Sequence, residues 1–270
     1  MHTCAGCGLL LSEIPSRQPR PGYERMNEGA YLEALGSVRE SQAGEVVALI
    51  REQAPPGNAW LDIGCGYGYL LRAARQAGFT VLGFEPDERA AAHARSLLGE
   101  AAVRQGMMTG DSVPDGTAAV ISMLDVLEHV PAAELASLAS TIQRKLLPGG
   151  LWVIKVPSTE GLYFQLAHVF PGITPAGVLR RLWQSDYAFP HTVYFSSITL
   201  RRFLERHGFE VIAQRYLADV PNATVRDRLR MDDSIPTWQA PLLAPAFYGI
   251  NFIEKLRGKS DALVMLARRT

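Results

Sequence analysis

An apolar run that ends in an aspartate and is followed at once by three alternate glycines, WLDIGCGYGYLL at residues 60–71, constrains this chain more than any other stretch. The run before the glycines is short and apolar on both faces, as a buried strand of a parallel sheet is. A helical pattern, YLLRAARQAG, resumes directly after them and is closed by Gly78. Strand, glycine turn and helix start form one unit, in which the free N–H groups of the helix end face a polar or anionic ligand. Glycine costs chain entropy. Three within five residues therefore predict that something approaches the backbone closely at Gly64, Gly66 and Gly68.

The alternation continues along the chain. TVLGFEP (80–86) predicts a second strand, and DERAAAHARSLL (87–98) a second helix with Asp87 as its N-cap. AAVRQG (101–106) is a weak strand signal, AAVISML (118–124) a clear one and LWVIKVP (151–157) a fifth. Between the last two, PAAELASLASTIQRKLL (131–147) puts Pro131 near a first turn and apolar residues at 135, 138, 142 and 146 on one stripe, until LPGG breaks the helix. SSITLRRFLERHG (196–208) is a helix stopped by Gly208, and the strands FEVIAQRYL (209–217) and ALVMLARR (262–269) close the series. Strands and helices alternating at this length predict an α/β fold with a doubly wound parallel sheet.

Two stretches depart from that rhythm. Residues 8–53 precede the first core strand and look helical from Tyr23 onward, while the aromatic-rich residues 158–190 interrupt the sheet directly after a strand. Ligands of open α/β sheets bind beyond the carboxyl ends of the strands. The insertion at 158–190 is therefore read as a lid or substrate element on a main domain of residues 54–270, with residues 1–53 as an N-terminal cap.

Charge narrows the partners. With 27 basic and 27 acidic residues the formal net charge is zero, so the basic footprint of a nucleic-acid binder is missing and a small-molecule partner is expected. No run reaches the length of a membrane span. APLLAPAFYGINF (240–252), the most apolar stretch, is short, broken by proline, and reads as buried or interfacial. Cys4, Cys7 and Cys65 cannot make a disulfide framework, which with the absence of a signal-peptide pattern predicts a cytoplasmic protein. Homodimer formation stays open.

Glu85 ends the second strand 21 residues after Gly64, where an acid can take a pair of ribose hydroxyls. The glycine spacing is G-x-G-x-G behind Asp62, and Tyr69 stands where a dinucleotide fingerprint would have its third glycine. This combination resembles the class I S-adenosylmethionine-dependent methyltransferases. DVLEHV (125–130), LLPGGLWVIKVPS (146–158) and HTVYFSSITLRRFLERHGFEVI (191–212) extend the likeness to the branch related to the ubiquinone-pathway O-methyltransferases, the type 23-like family. The resemblance implies a seven-stranded, mostly parallel Rossmann-like sheet and S-adenosyl-L-methionine as cofactor. It implies that Gly64, Gly66 and Gly68 lie against the methionine part, that Asp62 holds the turn and the amino group, and that Glu85 binds the ribose. Leu124 and Asp125 would then line the site near the transferred methyl, and Met107 or Met108 would pack on the adenine. The family's acid near the end of the third strand is replaced here by QGMMTG, its aspartate opening the fourth strand by Ala119, and the PN after the fifth by Pro157–Ser158.

The reaction expected is methyl transfer to a small-molecule or carrier-bound metabolite, at oxygen. Its rivals are an NAD-dependent oxidoreductase and a catalytically silent cofactor-binding subunit. A hydroxyl acceptor must lose its proton, which calls for a base of near-neutral pKa. His191, beside the aromatic insertion, is favoured for that role, and His129 for a structural one at a helix start. Asp125, Glu128 and His129 would share a face if the chain is helical from 125, and related quinone methyltransferases hold a divalent ion with a similar set. Many relatives without metal carry nearly the same string, so no metal is expected. CAGCG (4–8) is one zinc knuckle without evident further ligands beyond His2, and is read as a remnant that holds no zinc.

Overall fold

A computed structural model describes residues 1–12, 28–170, 189–230 and 238–270. Its centre is a seven-stranded sheet of β3 (Ala59–Ile63), β4 (Thr80–Glu85), β5 (Val103–Gln105), β6 (Ala118–Leu124), β7 (Leu146–Pro157), β9 (Phe209–Leu217) and β10 (Ala262–Arg269). They lie in the order β5-β4-β3-β6-β7-β10-β9. The pairs from β5 through β7 are parallel, and β10 runs antiparallel to both β7 and β9. This is the doubly wound, mostly parallel sheet expected. A smaller antiparallel sheet joins β1 (His2–Thr3) and β2 (Leu10–Leu11) to β8 (Val193–Tyr194).

Period-two alternation sends successive residues to opposite faces. Leu61, Ile63, Ile121, Met123, Trp152, Ile154 and Met265 fill one core. There they meet α4 (Leu135–Lys145) and α6 (Ser197–Arg206) through Leu135, Ala139, Ile142, Leu200 and Leu204. Trp60, Val120, Leu151, Val153, Val264 and Leu266 fill the other. Against them pack α1 (Glu28–Glu52), α2 (Tyr69–Gln76) and α3 (Glu88–Leu98) through Val46, Ile50, Leu70, Leu71, Ala91 and Ala94. Asp62, Ser122 and Lys155 share the parity of this second face, so its carboxyl edge carries buried polar groups.

Two local expectations need correction. The helix predicted from Pro131 begins at Leu135, because residues 132–134 form a turn, and Leu146 already belongs to β7. LPGG does not end an element before the strand. It lies inside β7, where the register against β6 slips between Ala118 and Val120 and absorbs the extra residues. The segment 240–252 lies in an 18-residue helix, α8 (Ala240–Arg257), which follows the short α7 (Val225–Arg230) and has Pro245 inside it. Of the insertion, residues 162–169 form α5 (Leu162–Val169), and 171–188 lie outside the described residues.

Candidate active site

The glycine turn joins β3 to α2 with all three glycines at positive φ: +73° at Gly64, +51° at Gly66 and +82° at Gly68. Two of them are filled by the chain itself. A Cβ on Gly64 would stand 2.5 Å from Val126 Cγ2, and one on Gly68 would stand 3.0 Å from Ala94 Cβ. Gly66 alone has nothing within 4 Å, so the space that a ligand would use opens there. Gly64→Ala is expected to cost about 1–3 kcal/mol, from a strained backbone and the clash with Val126. A fall in melting temperature that Val126→Ala partly reverses would check it.

Glu85, at the carboxyl end of β4, is positioned by the backbone around this turn. Gly66 N–H donates to its Oε2 at 2.8 Å and Asp87 N–H to its Oε1 at 2.9 Å. Burial raises its carboxyl above the ordinary value, and these two donors pull the other way. Asp87 caps α3, its side chain accepting from Ala90 N–H at 2.8 Å as the sequence predicts. Asp62 lies deeper, with 2 % of its surface exposed. Ser122 Oγ donates to its Oδ1 at 2.6 Å and itself accepts from Trp60 Nε1 at 2.8 Å. Burial pushes Asp62 up to about 7. Cys65 is buried, and its Sγ would be 2.7 Å from a Cβ on Gly83, so it fills space.

Asp125 follows β6 with φ +58°, a conformation that non-glycine residues adopt at a cost. The backbone therefore leaves helical geometry at 125, and the next turn, Leu127–His129, is a 3₁₀ turn. The expected helical face of Asp125, Glu128 and His129 does not form. Both carboxylate oxygens of Asp125 instead accept from Lys155 Nζ at 2.9 Å, and Oδ2 accepts from Arg39 Nη1 at 2.7 Å. Lys155, with 1 % of its side chain exposed, also reaches Asp219 Oδ1 at 2.7 Å, and Gln42 Nε2 donates to the same atom at 3.2 Å. Burial alone would raise Asp219, but Lys155 and Arg39 outweigh it and hold its carboxyl below the usual range. Lys155, Asp219, Arg39 and Gln42 were missed in the sequence. A lone lysine inside the apolar run LWVIKVP was the available signal, because an unpaired ammonium is not buried there.

The fold instead gathers Glu128, His129 and His191. Their donor atoms lie within 4.8 Å of one another, and the two imidazole centroids are 4.9 Å apart. Thr192 stitches the segments together, its N–H and Oγ1 both donating to Glu128 O, at 2.8 and 3.2 Å. His129 Nδ1 is 3.2 Å from Pro190 O. A carbonyl only accepts, so the proton sits on Nδ1 and the lone pair on Nε2. Burial lowers His129 below the ordinary imidazole value. Glu128 is buried, neither oxygen accepts a hydrogen bond, and burial together with Asp125 raises its carboxyl well above the usual range. Two imidazoles and a carboxylate could also hold a divalent ion. Leu124, at the end of β6, is half-buried on this edge, whereas Met107 is 66 % exposed and Met108 packs against the core. Cys4 and Cys7 belong to a tight turn, in which Cys4 N–H donates to Leu9 O and Gly8 N–H to Cys4 O. Among the described residues no third donor joins them in a metal-sized group.

Comparison with known proteins places this geometry. Residues 36–214 match a family described as a methyltransferase domain. A similar curated protein is the dTDP-3-amino-3,4,6-trideoxy-alpha-D-glucopyranose N,N-dimethyltransferase of Streptomyces venezuelae, 29 % identical over 117 residues, 43 % of this chain and 49 % of that protein. Another is the ubiquinone biosynthesis O-methyltransferase of Pseudomonas aeruginosa strain LESB58, 36 % identical over 99 residues, 35 % of this chain and 42 % of that protein. The matches thus span about half the length of these curated relatives. Among solved structures, the magnesium protoporphyrin IX methyltransferase of Synechocystis with bound SAH covers 93 % of this chain and 96 % of its own, with TM-score 0.57 and 15 % identity, a likeness of fold. The family match runs from α1, through the glycine turn, Glu85 and the His129–His191 cluster, into β9, and on that extent this chain belongs to the methyltransferase-domain family.

Proposed function

We propose that the protein transfers a methyl group from S-adenosyl-L-methionine to an oxygen of a small-molecule or carrier-bound metabolite. The observation that carries this is the open space at Gly66, beside a Glu85 carboxylate anchored by two backbone N–H groups. The cofactor supplies a methyl on a sulfonium, which leaves by in-line displacement, so positioning is the main task of the protein. Glu85 offers both oxygens to a ribose diol. Asp62 offers its buried carboxyl to the ammonium of the methionine end. Leu124 and Asp125 close the carboxyl edge between this turn and the histidines, and Met107 offers an apolar surface to an adenine. Residues 54–270 form the catalytic domain in this proposal, 1–53 its cap, and 158–190 a lid.

His129 is the better placed base. Its ring is half-buried, kept neutral by burial, and has its lone pair on Nε2, whereas His191 is 3 % exposed and backs it. This exchanges the two roles expected from the sequence. Nitrogen is the second candidate for the target atom, because a relative is named for N,N-dimethylation. No helix among the described residues is long and apolar enough to cross a membrane.

Calorimetric titration with S-adenosylhomocysteine and with NAD, followed by turnover of labelled cofactor against a metabolite extract, tests the proposal. Binding of NAD alone would favour an oxidoreductase, and binding without turnover a silent subunit. Affinity for S-adenosylhomocysteine is expected to rise from pH 6 to pH 8. Asp62 is protonated below about 7 and must ionise to meet the ammonium, so binding releases a proton and is weakened by acid. A flat profile would remove Asp62 from the amino group. Turnover is also expected to survive EDTA, because Asp125 is engaged by Lys155 and Arg39 and burial favours neutral Glu128. Activity lost on chelation and restored by Mg²⁺ would make Glu128, His129 and His191 ligands.

A further inference from the structure

The helix α8 is amphipathic in the reverse sense. Its exposed residues between 241 and 257 are apolar apart from Lys255 and Arg257, and they include Leu242 at 69 %, Phe252 at 63 %, Ile253 at 46 % and Leu256 at 73 % exposure. Helical spacing from Leu242 through Pro245, Gly249 and Phe252 to Leu256 puts these on one outward stripe. Asn251 and Glu254 point inward instead. Asn251 Nδ2 donates to Val220 O at 2.8 Å and its Oδ1 accepts from Tyr163 OH at 2.9 Å. Glu254 Oε1 accepts from Leu162 N–H at 2.6 Å, and its Oε2 from Ser260 Oγ at 2.8 Å.

Charge identifies what this stripe meets. The outward face of α8 presents two cations and no acid, since Glu254, the one acidic residue of the helix, is 3 % exposed. Trp238, 66 % exposed just before the helix, adds an aromatic of the kind that sits at a lipid headgroup boundary. The neighbouring α5, held to α8 by Arg257 Nη1 donating to Gln165 Oε1 at 3.2 Å, adds exposed Leu166 and Val169. An apolar stripe with cations and an aromatic beside it is the pattern of a helix lying in the plane of a membrane surface. We infer that α8 docks the protein on an anionic lipid bilayer through this outward face. The helix follows β9 and precedes β10, at the carboxyl edge that carries Asp125 and Lys155. Docking would therefore turn that edge toward the bilayer, from which an acceptor with an apolar tail would enter. The inference does not depend on the methyl-transfer proposal, because the readout is lipid binding.

Co-sedimentation with vesicles of phosphatidylcholine and phosphatidylglycerol is expected to capture the full chain, and vesicles of phosphatidylcholine alone to capture less. Phe252→Asp with Leu256→Asp should weaken partition roughly 10–100-fold, with melting temperature and cofactor affinity retained. Should that pair fail to fold, Ile253→Trp provides a second route, its fluorescence being quenched by brominated lipid if the stripe enters the bilayer. The absence of wild-type binding to anionic vesicles at millimolar lipid, or an unquenched Trp at 253, would overturn the inference. So would a dimer in sedimentation velocity that the charged pair dissolves while vesicles stay unbound, since a second copy would then cover the stripe.

Discussion

Replacing His129 with alanine is expected to lower kcat by roughly 10²–10⁴, with cofactor affinity nearly unchanged. The imidazole is the base of the proposed transfer, and its Nδ1–H···O contact to Pro190 leaves Nε2 as the accepting atom. Burial lowers its pKa, so the neutral form persists below the ordinary imidazole range, and kcat should fall only as pH drops through that lowered value. In the alanine variant this acidic limb should disappear. His191→Ala should cost less in kcat and more in melting temperature, because that ring is almost wholly enclosed. Turnover profiles of both variants between pH 5 and 9, read beside their melting curves, separate the two roles. If the limb persists without His129, or vanishes without His191, the assignment is reversed.

Glu85→Ala is expected to weaken cofactor binding by about 2–4 kcal/mol, through loss of charge-assisted hydrogen bonds to a ribose diol. The same carboxylate accepts from Gly66 and Asp87, so its removal also frees the glycine turn. Glu85→Gln separates these contributions: it keeps one acceptor oxygen but replaces the other with an amide that cannot accept from a backbone N–H. An affinity in Glu85→Ala equal to that of the parent would end the ribose assignment.

The sheet was legible because its order rests on local signals. Short apolar runs, the Asp87 cap and the Gly208 stop all specify structure within a few residues. The glycine turn was legible as a turn, though not what stands against it. Two of its three glycines make room for Val126 and Ala94, which are remote in sequence and invisible to spacing. The backbone at Asp125 was misjudged for the same reason: its side chain is engaged by Arg39 on α1 and Lys155 on β7, and it sits at positive φ, outside any periodic pattern. His129 and His191 were singled out separately as candidate bases. Nothing local announced that their rings meet, because 61 residues separate His129 from the carbonyl that orients it.

The position of β10 has a consequence for the order in which the molecule can be completed. This strand is synthesised after all the others of the sheet, yet it lies inside the sheet, between β7 and β9. While β10 is missing, β9 has no neighbour to pair with, and Asp219, two residues beyond it, is not delivered to Lys155. The contacts that it would complete reach across the chain, as far as 177 residues between Gln42 and Asp219, and long loops of this kind close slowly. On the ribosome the half-sheet from β5 to β7 can therefore assemble with its glycine turn in place, but with a nearly dehydrated ammonium one carboxylate short. A chain stopped before β10 carries that deficit permanently, because among the described residues no other strand joins β9 to β7.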